Sequence, residues 1–344
     1  MRLGKHALAW ALCSAAAFGL STLAKADDFY KGKNIKLIIG SGEASGVDIL
    51  GRVAARHLSN HIPGKPTIIV QNMAAPESIA AANYVYNIAE PDGLTIGSGS
   101  SGLFSRAISQ PNVRFDLSKF TWIANIYSAT VVFWMRTDFP CQTFEAISRC
   151  SQTLKFGATA RGSTGFGLVP ELLKDAFKLN MDIIYGYRNN ALELAVERGE
   201  VHASGGDLIG FMGSRPRQLL DEGTVKILVQ VAGIRNPEMD KLNVPWSMDV
   251  LPEEHKKLFI MINPILDLAR PFFAPPYVPA DRAKLLQTAF ANLVTDPNFK
   301  AEVKRVAQIE PSLVPGPAMD AAIKQMLSQP KEVNDRVIEL LRGN

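Results

Sequence analysis

Six short stretches of the chain hold the residues best able to do chemistry. They are "GSGEASG" (40–46), "NMAAPES" (72–78), "GSGSSG" (97–102), "GATARGSTGFG" (157–167), "YGYRNN" (185–190) and "SGGD" (204–207). Their residues are mostly small, hydroxylated or amide-bearing, and they follow successive strand-like runs. Small residues let backbone N–H groups approach a ligand, and helix N-termini favour negative charge. The chemistry this suits is capture of an anion by main-chain donors. The candidate contacts are Ser41, Gly42, Glu43, Ala44 and Ser45 in the first stretch and Ser98 and Ser100 in the third. Thr159, Ala160, Arg161, Ser163 and Thr164 follow in the fourth, Tyr187, Arg188 and Asn189 in the fifth, and Asp207 in the last. Arg161 and Arg188 add side chains that can grip a carboxylate bidentately. Glu43 and Glu77 pull the other way: pointing inward, they would favour a zwitterion or an amide over a dicarboxylate or tricarboxylate. Asp48 is expected to complement the dipole of the helix it opens and to brace the loop rather than touch an anion.

Catalytic patterns are largely missing. The chain has no G-x-S-x-G elbow, no Walker lysine and no H-E-x-x-H. Gly97, Gly99 and Gly102 match G-x-G-x-x-G, but the second strand ends in Gln71-Asn72, where a dinucleotide site needs an acid. His57 and His61 lie one helical turn apart without a nearby carboxylate or thiol in sequence, and read as a solvated helix end rather than a metal face. Neither a metal nor a cofactor is implied. The enzymatic alternative is a secreted hydrolase with Ser163 or Ser100 as nucleophile. A ligand-binding sensor subunit is a further reading that the same loops allow.

Length and composition set the frame for these loops. The chain has 344 residues, 47% hydrophobic and 20% charged, which allows about two domains with sizeable cores. Arg2, Lys5 and His6 precede an apolar run, Ala7 to Leu23, and Ala24-Lys25-Ala26 forms an A-x-A site: residues 1–26 read as a cleavable signal peptide. Its loss would remove Arg2, Lys5 and Lys25 from 37 basic residues and none of the 33 acids, leaving a net charge of +1. No basic stripe survives, so nucleic acid is not an expected partner. Cys141 and Cys150 remain in an oxidising compartment. On one straight helix they would lie about 13 Å apart, too far to bridge. Pairing therefore requires a short helix, near 143–148, flanked by chain that turns back, and it stays open at this stage.

The elements that must position the loops alternate as strand and helix. Strands are predicted at 36–39 and 67–70 and helices at 47–60 and 79–88, with a short strand before the third loop. This βαβα order implies a mainly parallel sheet with helices on both faces, its loops gathered at the carboxyl edge. "FTWIANIYSATVVFWMRTDFP" (120–140) reads as an apolar strand crossing between domains, and "DLARPFFAPPYVP" (267–279) as the counterpart. Between them runs a second α/β series with helices at 167–178 and 191–198. Two helices, 280–295 and 318–341, close the chain. The expected division is 27–122 plus 265–344 as a discontinuous first domain around a second, 123–264. Loops of two domains facing each other describe a clamp that closes on its ligand.

The blocks also resemble a known family, the periplasmic solute receptors of tripartite tricarboxylate transporters, or Bug-type binding proteins. "FYKGKNIKLIIGSGEASGVDILGRVAARHL" resembles its opening, with Asp48 and Arg52 on the Asp and Arg of its "P-G-G-G-x-D-x-x-A-R" turn. "IIVQNMAAPESIAAANYVYNIAEPDGLTIG" is similar to its second block. "LKFGATARGSTGFGLVPELL" places Ser163 and Thr164 on its hydroxyl pair, and "YGYRNNALELAVERGEVHASGGDL" matches the block that follows. The resemblance implies a two-domain Venus-flytrap fold that captures a small organic acid or amino-acid-like ligand without catalysis. It also implies delivery to large and small membrane subunits, and a monomer is expected. The chain departs from the family's glycines at Glu43-Ala44-Ser45, at Ala75-Pro76-Glu77-Ser78 and at Asn189-Asn190.

Overall fold

In this computed structural model, residues 29–43, 45–109, 113–159, 167–187, 189–307 and 309–342 are described. The signal-peptide segment 1–26 lies outside them. Among the described residues ten strands of four residues or more carry the fold: β1 Asn34–Ile39, β2 Thr67–Asn72, β3 Thr95–Ser98, β4 Thr121–Asn125, β5 Val131–Arg136, β6 Leu154–Gly157, β7 Met181–Ile184, β8 Ala203–Asp207, β9 Val225–Val231 and β10 Pro271–Ala274. The described residues form two compact units. One draws on the described residues up to Gly99, on Lys119–Ala124 and on Phe272–Ala307, the other on those within Ser100–Ser118, Asn125–Pro271 and from 309 onward.

Each unit is built around one sheet, and the two sheets follow one plan. The first contains β4-β10-β3-β1-β2 in that order, and the second runs β7-β6-β8-β5-β9. In the first, β1 lies between β2 and β3 and is parallel to both. In the second, β6 lies between β7 and β8 and is again parallel to both. The crossing strands enter against this direction. β10 is antiparallel to β3, and β5 is antiparallel to β8 and β9, so each sheet is mixed rather than simply parallel. Chain order reverses between β1 and β3 and again between β6 and β8. At such a switch point adjacent strands lead their connections away from each other and leave a crevice at the carboxyl edge.

The local sequence explains these elements. β1 turns from alternating to continuous burial as it enters the sheet, whereas β2 at the edge has no fully buried residue. Helix Gly46–Leu58 buries Val47, Leu50, Val53, Ala54 and Leu58, one stripe at helical spacing. The segment 120–140 is two strands rather than one, β4 in the first sheet and β5 in the second. Between them the chain pairs with the other crossing: Ile126 N–H donates to Arg270 O at 3.3 Å and Ala129 N–H to Leu266 O at 2.9 Å. Asn125, fully buried, fastens the two. Its Nδ2 donates to Tyr127 O and Asp267 O, both at 2.8 Å, and its Oδ1 accepts from Arg270 N–H at 2.8 Å.

The predicted helix 318–341 is two helices, Gly316–Leu327 and Lys331–Arg342. Pro330 lies between them, and a proline disfavours helical geometry in the residue before it. Both pack against helix Glu253–Asp267. Helix Pro297–Ala307, absent from the sequence reading, packs against Gly46–Leu58. Cys141 and Cys150 form a disulfide, their Cα atoms 6.1 Å apart. The helix between them, Phe144–Ser148, is capped by Thr143, whose hydroxyl accepts from Ala146 N–H at 3.1 Å.

Three loops of the first unit meet at very close range. Glu77 and Ser78 both have positive φ, 55° and 63°, a costly conformation for residues with a Cβ. Ser78 is 1% exposed and presses on the glycines that follow β1 and β3. A Cβ on Gly40 would lie 2.5 Å from the Ser78 Cβ, and one on Gly99 would lie 3.3 Å from it. The first two glycines of the literal G-x-G-x-x-G are thus explained by packing: a Cβ on Gly97 would meet the Phe273 ring of β10 at 2.4 Å.

Two expectations follow for stability. Gly40→Ala should destabilise by roughly 1–3 kcal/mol, the range for an overpacked site. Most of that loss should disappear in a Ser78→Gly background, which removes the opposing Cβ and relieves a positive φ. Denaturant unfolding of the four proteins in the double-mutant cycle measures this coupling. The second concerns Asp267, whose carboxyl is pushed up from 3.8 to about 6 by burial, against the lowering effect of the Gly233 and Ile234 N–H groups. A raised carboxyl contributes stability that is present below pH 3.8 and lost as pH rises through about 6. Across that window Asp267→Asn should lack a fall in unfolding free energy of about 3 kcal/mol that the parent protein shows.

Candidate functional site

The loop after β1 is shaped by an acid turned inward. Ser45 caps helix Gly46–Leu58, accepting from Asp48 N–H at 3.2 Å, and its Oγ lies 2.6 Å from Ser41 Oγ. Asp48 is 3% exposed. Its Oδ1 accepts from Arg52 Nε at 2.9 Å and from Asn72 Nδ2 at 2.7 Å. Arg52 Nη2 donates in turn to Asn72 Oδ1 at 2.7 Å, and Asn72 Nδ2 to Ser41 O at 3.0 Å. The ends of β1 and β2 and the start of the helix are thereby tied together, and the Asp48 carboxylate braces the loop as expected. Among the described residues nothing accepts from the backbone N–H of Gly42 or Glu43, and both residues are exposed. A Cβ on Gly42 would meet nothing within 4 Å. Ser98 is buried at the end of β3, where its carbonyl accepts from Gly40 N–H at 2.8 Å.

The equivalent loops of the second unit are linked in the same manner. Gly186 N–H donates to Thr159 O at 3.1 Å and Tyr187 N–H to Ala158 O at 3.2 Å, joining the turns after β6 and β7. Tyr187 packs against the apolar core below. Asn189 opens helix Asn189–Glu197. Ser100 belongs to the segment before helix Gly102–Ser109 and accepts there from Leu103 N–H at 3.1 Å. Ala44, Ala160, Arg161, Ser163, Thr164 and Arg188 lie outside the described residues, as does the side chain of Asn189.

Asp207 ends β8 and caps helix Leu208–Met212, accepting from Ile209 N–H at 3.0 Å. It also accepts the Tyr127 hydroxyl, at 2.8 Å to Oδ1 and 3.0 Å to Oδ2. Burial pushes the Asp207 carboxyl up, against the lowering effect of these donors and of Arg270. Burial, reinforced by the Asp207 charge, raises the Tyr127 phenol well above its ordinary range. The Arg270 guanidinium lies 5.9 Å from the centre of the Tyr127 ring, and burial lowers its affinity for its proton. Two cavities of the second unit reach this pair. One of about 400 Å³ is lined by Trp134, Leu192 and Gly206 together with Asp207, and one of about 550 Å³ by Thr130, Ile234 and Asn236 together with Tyr127. A larger cavity of about 620 Å³, lined by Phe144, Phe177 and Lys226, lies at the other end of β5 and β9.

Tyr127 and Arg270 were not among the residues singled out by sequence. The available signal was a lone tyrosine and a lone arginine inside the two apolar crossing segments. His57 and His61, read as a solvated helix end, instead bond carboxylates of the adjoining helix region. His57 Nε2 is 2.7 Å from Glu302 Oε2, and His61 Nε2 is 3.0 Å from Asp296 Oδ2. Among the described residues no group of three or more metal-ligating side chains occurs, and no histidine bonds a serine. No helix among them is long and apolar enough to cross a membrane.

The family profile described as tripartite tricarboxylate transporter family receptor, TctC, matches residues 50–315. No curated protein matches the chain in sequence. Among solved structures, a TctC solute-binding protein from Polaromonas, without ligand, is 19% identical with a TM-score of 0.71, covering 92% of this chain and 100% of its own. MatC from Rhodopseudomonas palustris with bound malate is 16% identical with a TM-score of 0.55, covering 90% and 99%. A second R. palustris protein, with adipate, is 18% identical with a TM-score of 0.57, covering 89% and 97%. At these identities the structures speak for the two-domain periplasmic-binding-protein fold, while the profile spans well over half of the chain. Sheet plan and profile agree: the chain belongs to the receptors of the tripartite tricarboxylate transporter family and is a solute-binding protein.

Proposed function

We propose that this protein is a periplasmic receptor that captures a small carboxylate-bearing metabolite and delivers it to the large and small membrane subunits of a tripartite transporter. Residues 1–26 act as its cleavable export signal, and the receptor works as a monomer whose two units are its lobes. It binds its ligand without turning it over. The observation that carries this reading is the loop after β1. The N–H groups of Gly42 and Glu43 are exposed and have no acceptor among the described residues, so they are open to an incoming anion beside the start of a helix. Meanwhile the nearby carboxylate, Asp48, is buried and fully engaged by Arg52 and Asn72, so it does not oppose an incoming anion. Malate and adipate in the two R. palustris proteins support a carboxylate as the ligand class. Thr159, Tyr187, Asn189 and Asp207, with Ala160, Arg161, Ser163, Thr164 and Arg188, are proposed to contribute from the second unit, and Ser41, Ala44, Ser45, Ser98 and Ser100 from the loops after β1 and β3.

A thermal-shift screen of malate, adipate, other organic acids and amino acids tests the reading. A ligand at one hundred times its dissociation constant should stabilise the protein by about 2.7 kcal/mol. An activated ester should not be hydrolysed. Failure of every carboxylate to raise the melting temperature, or steady ester turnover, would reject the receptor assignment.

The first loop has its own test. Gly42→Val should leave the melting temperature of the free protein nearly unchanged, because the new side chain enters open space, yet remove ligand-induced stabilisation. Glu43→Gly should tighten dicarboxylate binding by roughly 0.3–1 kcal/mol, an exposed-charge effect that shrinks as salt is added. Calorimetric titration at two ionic strengths reads both changes.

A further inference from the structure

The cavity of about 620 Å³ at the far end of β5 and β9 has one wall that is covalently closed. Gln142, Phe144, Glu145 and Ser148 line it, and all four lie inside the loop that the Cys141–Cys150 disulfide completes. Gln142 Nε2 donates to Arg136 O at 3.2 Å and to Phe139 O, and Thr143 caps the short helix that follows. Phe144 meets Phe133 of β5 edge-on, ring centres 5.6 Å apart, and stacks on Phe177 at 4.6 Å. Leu228 and Val250 extend this apolar lining. A wall held in place beforehand spares a ligand the entropy of ordering it. Volume and lining are those of a small-molecule site, apolar for the most part with a few polar groups.

Three charged residues among those described line this cavity, and two of them are answered. Glu145 pairs with Arg149 at 3.6 Å, and Lys178 with Asp175 at 3.4 Å. Lys226 is half-buried, and no carboxylate among the described residues pairs with it. Its Nζ donates to Gln142 O at 2.7 Å, which uses one of the three ammonium hydrogens and leaves two. Burial loosens its hold on its proton, an effect that an anion alongside would reverse. A lone ammonium set among apolar walls matches a molecule with one negative charge and an apolar body. The position is remote from the ligand loops. Lys226 pairs with Met135, whereas Asp207 pairs with Val131, four residues away on the same strand and so roughly 13 Å distant.

We propose that this cavity is a second binding site, separate from the ligand loops, for a small apolar monocarboxylic acid. The carboxylate meets the Lys226 ammonium, and the apolar body lies against Phe144, Phe177 and Leu228. None of the residues assigned above to ligand capture lines the cavity, so this site does not depend on the receptor reading.

The experiment is calorimetric titration of the full chain with phenylacetate, hexanoate and the neutral counterpart phenylacetamide. Both acids should bind with dissociation constants of about 1 mM or tighter, and phenylacetate roughly 10-fold more tightly than its amide, the scale of one charged hydrogen bond. Lys226→Gln removes the charge but keeps a donor for Gln142 O. It should weaken both acids by roughly 10-fold and leave phenylacetamide within about 2-fold, a split that a merely structural role for Lys226 would not give. Lys226→Arg, which keeps the charge, should hold the acids within about 3-fold of the unmodified protein. In Gly42→Val, whose altered loop tests the receptor reading, phenylacetate should bind as before. Failure of both acids to bind overturns the inference, as does an amide that binds as tightly as the acid. So does unchanged acid affinity in Lys226→Gln, or an equal loss for acid and amide. Loss of phenylacetate binding in Gly42→Val would move the acid to the first loop, rejecting the second site and leaving the receptor reading standing.

Discussion

One buried carboxamide organises the strand ends of the second unit. Asn125 makes three hydrogen bonds from a fully buried position, to Tyr127 O, Asp267 O and Arg270 N–H. Hydrophobic contact alone would leave the two crossing segments free to slide past each other, because apolar packing has no direction. A carboxamide with two donor hydrogens and an acceptor oxygen sets their register instead. Tyr127 and Arg270 are consequences of that register, since each lies beside a main-chain group that Asn125 holds. Their side chains reach the Asp207 corner because the backbone beneath them is pinned.

The repeated sheet plan gives each unit one reversal of strand order, where a crevice opens at the carboxyl edge. In each, three parallel strands reverse their order once and an antiparallel strand follows them in the row. The loops beside each reversal are short and built from small residues. In the first unit the Asp48–Arg52–Asn72 network holds such a loop rigidly from behind, while the N–H groups of Gly42 and Glu43 have no acceptor among the described residues. Rigidity of this kind lowers the entropy lost when a ligand is ordered there.

Much of this was legible from residues alone. The alternation of β-branched runs with amphipathic segments marked the strands, and the small-residue stretches marked their carboxyl ends. The inward role of Asp48 was legible too, since an acid in a first helical turn complements the dipole. What was hidden depended on partners distant in sequence. His57 and His61 showed no nearby acid because Glu302 and Asp296 arrive more than two hundred residues later. Tyr127 and Arg270 sit in runs whose apolar neighbours signal only a buried strand. The positive φ of Glu77 and Ser78 runs against the preference of their residue types, so only the fold reveals it. Pro330 was visible, yet the amphipathic pattern continues through it and concealed the break between the last two helices.

Gly40 and Gly42 are two residues apart and carry opposite constraints. Around the first, any added atom strikes Ser78, while around the second there is open space. Evolution therefore meets two different penalties within one turn. Drift at Gly40 is paid for in folding, and selection acts there whatever the ligand. At Gly42 a new side chain enters open space and costs the fold almost nothing. On the proposed reading of this loop, a lineage changes its nutrient through that one codon while the scaffold stays as it is.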